Sequence, residues 1–167
     1  MIIRKSTLND IDSLMDIFAE ARRTIAALGI DQWQNGYPSY DTVYEDISLC
    51  RSYSVLIDGE ICATFVLIDD GEPTYDKIYE GEWLGNEGFI AIHRVAVSVK
   101  KRGSGISTAI IDYASKYARS LGRNALRIDT HEGNKVMRRM LEKHSFIHRG
   151  TIYLESGDGR VAYEKSL

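Results

Sequence analysis

The run Phe89-Ile90-Ala91-Ile92-His93-Arg94-Val95-Ala96-Val97 leads through Lys100-Lys101-Arg102-Gly103-Ser104-Gly105 into an apolar stripe at Ile106, Ala109, Ile110, Tyr113, Ala114, Tyr117 and Leu121. No other stretch constrains the chain as tightly. A β-rich run of that length reads as a central strand, and the stripe, at three- and four-residue steps, reads as a helix with one buried face. The two glycines between them permit a sharp turn and close approach of the backbone to a ligand. Unpaired N–H groups at the helix start, with the helix dipole, attract an anion. Arg102, with Lys100 or Lys101, adds formal charge, and a guanidinium fork suits phosphate oxygens better than an ammonium does. A pyrophosphate would fit there. A plain strand-to-helix turn that needed glycine explains the same residues without a ligand.

Two common phosphate motifs fail on these residues. A P-loop needs a lysine directly after its final glycine, and none follows Gly105. A dinucleotide fingerprint needs a third glycine or alanine in an N-terminal βαβ unit, whereas this segment lies mid-chain, after an antiparallel hairpin.

The rest of the chain alternates helix and strand signals. Met1–Lys5 reads as a short strand, and Thr7 three residues before Asp10 is a variant capping box. A helix carrying Ile11, Leu14, Met15, Ile17, Phe18, Ala21 and Ile25 follows, with Gly29 as its stop. A second helix spans Asp41–Arg51, and Asp58-Gly59 joins strands Tyr53–Ile57 and Ile61–Ile68 in a tight hairpin. Residues 69–88 are acidic, glycine-punctuated and aromatic, and read as a mobile loop with one helical turn. A strand at Ala125–Asp129, a helix from Asn134 to His144, and strands at Ile147–Leu154 and Arg160–Lys165 complete the chain. The order βα-α-ββ-β-α-β-α-ββ predicts one α/β (α+β) domain over residues 1–167, with no internal repeat or linker.

Composition removes several function classes. Residues 1–90 carry 6 basic and 17 acidic side chains and residues 91–167 carry 15 and 7, so a net charge of −3 hides a basic half suited to anions. That half interleaves charge with apolar residues, which argues against a nucleic-acid partner. The longest apolar runs, such as Ile61–Ile68, fall far short of a membrane span, and no signal-peptide core follows Arg4-Lys5. Cys50 and Cys62 form no CxxC, and His93, His131, His144 and His148 lack metal-site spacing. A soluble, cytoplasmic protein with no metal is expected.

The segment 94–107 resembles the GNAT N-acetyltransferase superfamily, in which a strand carrying the equivalent of Arg94-Val95-Ala96-Val97 precedes Arg/Gln-x-x-Gly-x-Gly/Ala. Here that motif reads Arg102-Gly103-Ser104-Gly105-Ile106-Ser107. The resemblance extends to Asn134 and to Lys143-His144-Ser145-Phe146, and the element order matches along the whole chain. Ser107 and Ser145 stand where Gly or Ala is commoner. The resemblance implies a mixed, mostly antiparallel sheet of about seven strands flanked by about four helices, with the fourth and fifth strands splayed. It implies acetyl-CoA as co-substrate, its pantetheine arm on the backbone of Val95, Ala96 and Val97 and its pyrophosphate on the amides of Arg102, Gly103, Ser104, Gly105, Ile106 and Ser107. Asn134 would reach the cofactor near the thioester. Met137, Arg138 and Lys143 lie on or near the same helix, where one of the two cations meets the 3′-phosphate or both belong to a solvated basic face.

What the resemblance implies for chemistry is direct acetyl transfer to a primary amine of a small molecule or peptide in a ternary complex. A non-catalytic acyl-CoA sensor of the same fold is the alternative, because Leu141 stands where many relatives have a tyrosine acid. An amine with a pKa near 10.4 must lose a proton before attack. His93 and Glu87, on and just before the central strand, are candidate bases, and His131 beside Asp129 and Glu132 is a third. Trp33 and Tyr37 in the Ile30–Pro38 loop, with Tyr75 and Trp83, would wall the acceptor pocket or pin those loops to the core. Asp31, Glu80, Glu82 and Glu87 would favour a cationic acceptor. The resemblance also allows a homodimer through the last strands or a helix.

Overall fold

Seven strands and four α-helices follow the predicted order in a computed structural model that describes residues 1–69, 71–85 and 88–167. They are β1 (Ile2–Lys5), α1 (Ile11–Ala26), α2 (Tyr40–Ser48), β2 (Ser52–Ile57), β3 (Glu60–Ile68), β4 (Phe89–Val97), α3 (Ile106–Ser120), β5 (Ala125–Thr130), α4 (Lys135–Lys143), β6 (Ile147–Tyr153) and β7 (Gly159–Ser166). Short 3-10 turns lie at Leu8–Asp10, Pro73–Tyr75 and Val99–Lys101. The sheet order is β1-β2-β3-β4-β5-β7-β6. Registers are antiparallel for β1–β2, β2–β3, β5–β7 and β6–β7 and parallel for β4–β5. The parallel ladder runs from Phe89 opposite Ala125 to Ala91 opposite Arg127. Both strands continue beyond it with no further registered pair among the described residues.

The chain divides into two compact units, Met1–Leu67 with Arg94–Ile110, and Ile68–His93 with Ile111–Leu167. In the first, the apolar stripe of α1 buries Ile11, Leu14, Ile17, Phe18 and Ala21 with Val43 and Ile47 of α2 and Ala96 of β4. Each fully buried aliphatic or aromatic side chain stabilises the unit by about 1.5–3 kcal/mol. The predicted capping box forms: the Thr7 amide donates to Asp10 Oδ2 at 2.7 Å, and Arg4 grips the same carboxylate through two bonds of 2.7 and 2.9 Å. Asp58 and Gly59 both take left-handed φ, 53° and 83°, as a tight two-residue hairpin turn requires.

In the second unit α4 ends in a Schellman motif, with Ser145 donating to Glu142 and Phe146 to Leu141. Ser145 sits at φ 65°. The left-handed residue of that motif explains why glycine is commoner there, and Leu141, fully buried, is part of the helix stop. Residues 69–88, expected to be mobile, are tied down over their described part. The Tyr79 and Thr151 backbones pair at 2.8 Å, the Leu84 amide donates to Glu164 Oε2 at 2.7 Å, and Arg127 donates to the Gly85 carbonyl at 2.6 Å. Composition reports polarity and turn formers, but the anchoring groups Thr151 and Glu164 lie far along the chain. No helix among the described residues is long and apolar enough to cross a membrane.

Candidate active site

The segment that most constrained the sequence lies in the first unit from Arg94 onward. Ala96 is 3% exposed and anchors the end of β4, while Val95 and Val97 are half-buried. Glu20 Oε2 accepts from Ser98 Oγ at 3.0 Å and the Val99 amide at 2.9 Å, fixing the start of the Val99–Lys101 turn. Those two bonds, the amide first, hold the Glu20 carboxyl below its ordinary range. Gly103 and Gly105 take φ of 82° and 80°, and no heavy atom lies within 4 Å of a Cβ placed on either. Conformation, not crowding, demands glycine there, and the space over the turn is open. Ala109 donates to the Gly105 carbonyl at 3.1 Å, closing the first turn of α3 over buried Ile106, with Ser107 half-buried beside it. Arg102 is exposed and donates to Thr24 Oγ1 at 2.9 Å, and Ser104 donates to the Lys101 carbonyl. An open, left-handed glycine turn beside Lys100, Lys101 and Arg102 fits an anionic group carried on backbone amides.

Arg94 was not singled out by the sequence, yet it organises this unit's other cluster. Its φ is 52°, a left-handed conformation within β4 that breaks the regular course of the strand. The guanidinium donates through Nη2 to Asp46 Oδ1 at 2.6 Å and through Nη1 to the Tyr37 hydroxyl. Burial opposes its charge, but Tyr37 and Asp46 together hold it above the ordinary arginine range. Trp33 packs edge-on against Phe18 at 5.8 Å and lies 6.4 Å from Tyr37. Arg22 donates to the Pro38 carbonyl at 3.2 Å. These contacts hold the Ile30–Pro38 loop to α1 and β4 through Trp33, Tyr37 and Pro38.

The first segment of the second unit ends at His93, the residue before Arg94. Its Nε2 lies 2.8 Å from Glu72 Oε2, and the two side chains are 17% and 15% exposed. Burial works against the Glu72 charge, yet His93 and Thr74 hold that carboxyl down to about 2. Tyr75 stacks on the imidazole at 5.8 Å and donates to Asp129 Oδ1 at 2.7 Å. At 1% exposure Tyr75 packs inside this cluster. Burial, then Asp129, pushes its phenol well above the usual range, so it stays a donor. Trp83 is half-buried, donates to the Tyr75 carbonyl at 2.9 Å and lies under Arg127 at 4.2 Å.

The remaining expected residues have local duties. His131 Nδ1 accepts from the Gly133 amide at 2.9 Å, which places its lone pair in the turn before α4. Asn134 caps α4, its Oδ1 accepting from the Met137 amide at 3.2 Å. Arg138 donates to the Tyr163 hydroxyl at 3.0 Å and the Glu132 carbonyl at 3.1 Å, while Lys143 is exposed in the last turn. Met137 is half-buried. Glu87 lies outside the described residues. Asp46 and Glu72 were missed as Arg94 was. Only Glu72 had a local signal, because a carboxylate directly before proline marks a cap.

The family model described as the acetyltransferase (GNAT) family matches residues 11–146. A GNAT-family acetyltransferase from Streptococcus agalactiae is 34% identical over 99% of this chain and 95% of its own, with a TM-score of 0.85. PaiA N-acetyltransferase from Thermoplasma acidophilum, solved in complex with coenzyme A, shares the fold at 16% identity and a TM-score of 0.73, covering 99% and 98% of the two chains. Ribosomal-protein-alanine N-acetyltransferase from Brucella melitensis shares it at 16% identity and a TM-score of 0.71, with both chains covered fully. No curated protein sequence matches the chain. With the family model spanning most of its length and a close structural match end to end, the chain belongs to the GNAT family of acetyltransferases.

Proposed function

We propose that this acyltransferase moves an acetyl group from acetyl-CoA to a primary amine by direct attack in a ternary complex. The observation that carries the reading is the open left-handed turn at Gly103 and Gly105, feeding α3 beside exposed Arg102. The backbone of Val95 and Val97 would hold the pantetheine arm, and the amides of 102–107 the pyrophosphate. Asn134, Arg138 and Lys143 would serve the remaining polar groups. Bound acetyl-CoA supplies an acyl carbon open to attack. This chain's own part is to hold it, orient the amine and remove the amine's proton. His93 takes that proton, since it stands two residues before Val95 on the same strand and keeps part of its ring exposed. A backbone N–H past Arg94 would polarise the acyl oxygen, a donor fixed before reaction. The acidic excess of residues 1–90 favours a cationic acceptor, a small amine or a peptide terminus. This reading places the enzyme in the cytoplasm, with a homodimer through the last strands.

Thiol release from acetyl-CoA against a broad amine panel tests it. Turnover with cationic amines and loss of acetyl-CoA affinity in Arg102→Ala are expected. Binding without turnover for every amine would favour the sensor reading instead, which the burial of Leu141 in place of a tyrosine acid makes specific. Absence of acetyl-CoA binding would overturn both.

A further inference from the structure

We propose that Glu72 is a positioning residue for His93, holding the imidazole in the tautomer that leaves Nδ1 as the basic nitrogen. The inference rests on the role given to His93 above and deepens it. Contacts within the second unit carry it. Glu72 Oε2 sits 2.8 Å from Nε2, and both side chains are largely buried. The other oxygen, Oε1, accepts from Thr74 Oγ1 at 2.7 Å and faces the Thr74 amide at 3.4 Å, so the carboxylate is held from turning away. On the flat face of the imidazole, Tyr75 stacks at an interplanar angle of 30°. Tyr75 is locked by its bond to Asp129 and by Trp83, which donates to its carbonyl.

The tautomer follows from lone pairs. An ionised carboxylate only accepts and would repel a bare nitrogen edge at 2.8 Å, so the hydrogen is favoured on Nε2. The ring N–H is not in line with Oε2, and the contact is an ion-pair approach, not a formed hydrogen bond. Nδ1 is left with the lone pair. When the acceptor ammonium gives up a proton, its N–H electron pair stays on nitrogen and the proton bonds to Nδ1. The resulting imidazolium is neutralised by Glu72 and returns the proton to solvent on turnover. The charged and titratable groups around the ring are Glu72 beside it, Tyr75 on its face, and Asp129 and Arg127 behind Tyr75. A carboxylate oriented on a histidine from the side opposite the reacting proton is a recurring solution in hydrolases; here it would stand on a 3-10 turn instead.

The test pairs kinetics with nitrogen NMR of the intact protein. In the wild type the His93 ring should show hydrogen on Nε2. Glu72→Gln should change that tautomer population, lower kcat on the order of 10–100-fold and move the acidic limb of kcat/KM, while acetyl-CoA affinity by calorimetry stays within two-fold. Glu72→Asp should restore part of kcat. Combined with His93→Asn, Glu72→Gln should add little further loss. A wild-type ring protonated on Nδ1, an unmoved acidic limb in Glu72→Gln, or losses that multiply in the double variant would each overturn the proposal. Because the NMR arm needs no substrate, a correct tautomer with no turnover for any amine would fault the N-acetyltransferase reading and leave the positioning geometry standing.

Discussion

Removing the Asp46 carboxylate is expected to be one of the most damaging single changes in the first unit. Asp46 is 5% exposed and takes a 2.6 Å bond from Arg94, whose side chain is 13% exposed. Asp46→Ala would leave a buried guanidinium with Tyr37 as its remaining described acceptor and Nε already without a partner. Breaking a buried pair by deleting one member costs about 3–5 kcal/mol. Against a total stability on the order of 5–15 kcal/mol, that is a large share. At roughly 2–4 °C per kcal/mol for a chain of this size, the melting temperature should fall by about 10 °C. Arg94→Met with Asp46→Leu removes both charges and should recover most of the loss. Urea unfolding followed by circular dichroism gives the four corners of the cycle. A functional consequence accompanies the structural one: loosening the Arg94–Tyr37 contact frees the Ile30–Pro38 loop, so the acceptor KM should rise more than that for acetyl-CoA. An Asp46→Ala loss under about 1 kcal/mol, or a double variant as unstable as the two singles summed, would refute the clamp.

Ser145→Gly should raise stability by about 0.5–1 kcal/mol, the relief of a left-handed serine less the added freedom of unfolded glycine, read as a higher urea midpoint. Gly103→Ala and Gly105→Ala should each destabilise by about 1 kcal/mol through backbone strain alone, since nothing crowds the new methyl, and calorimetry should show acetyl-CoA affinity falling with them. Acid should weaken the fold in a defined window. Asp10, held to about 2 by Arg4 first and by Thr7, and Glu72, also about 2, are both depressed. Their stabilisation is therefore present above the ordinary carboxylate range and lost as pH falls from there toward about 2. Because Arg4 is 39% exposed, the Asp10 share is discounted to about 1 kcal/mol. Asp10→Asn should flatten the urea midpoint against pH by that amount.

The elements were legible because each local signal agreed with its neighbours. Phe89–Val97 is the predicted central strand residue for residue, and Asp58-Gly59 turned where the dipeptide requires positive φ at both positions. Helix ends fell at Ser120 and Lys143, next to left-handed Gly122 and Ser145. What escaped was whatever depends on partners distant in sequence. Arg94 reads as one more residue of a strand until Asp46 and Tyr37, each about 50 residues away, meet it. For Tyr75 and Trp83, aromatics in a polar loop, the pattern cannot show Asp129 accepting from one and Arg127 covering the other. Glu72 lay unremarked in an acidic stretch, where only the fold reveals which carboxylate faces an imidazole.

Arg94 joins these clusters through its backbone as well as its side chain. In a regular strand His93 and Val95 would share one face and Arg94 the other. Burial along β4 breaks that alternation, with His93, Arg94 and Val95 all half-buried in succession, and the break coincides with φ 52° at Arg94. The break thus lies at the residue whose guanidinium reaches Asp46. An L residue in that region costs about 1–2 kcal/mol, a strain the buried ion pair is well able to offset. Two substitutions separate the parts. Arg94→Ala loses the ion pair and keeps the strain, whereas Arg94→Gly loses the ion pair and relieves it, at the expense of a more flexible unfolded chain. Arg94→Gly should therefore be the more stable of the two by about 0.5–1 kcal/mol, although both fall well below the wild type. Equal urea midpoints would mean that no left-handed strain resides at this position. A markedly weaker glycine variant would place the origin of the left-handed φ in the side chain's contacts and not in the backbone's own conformation.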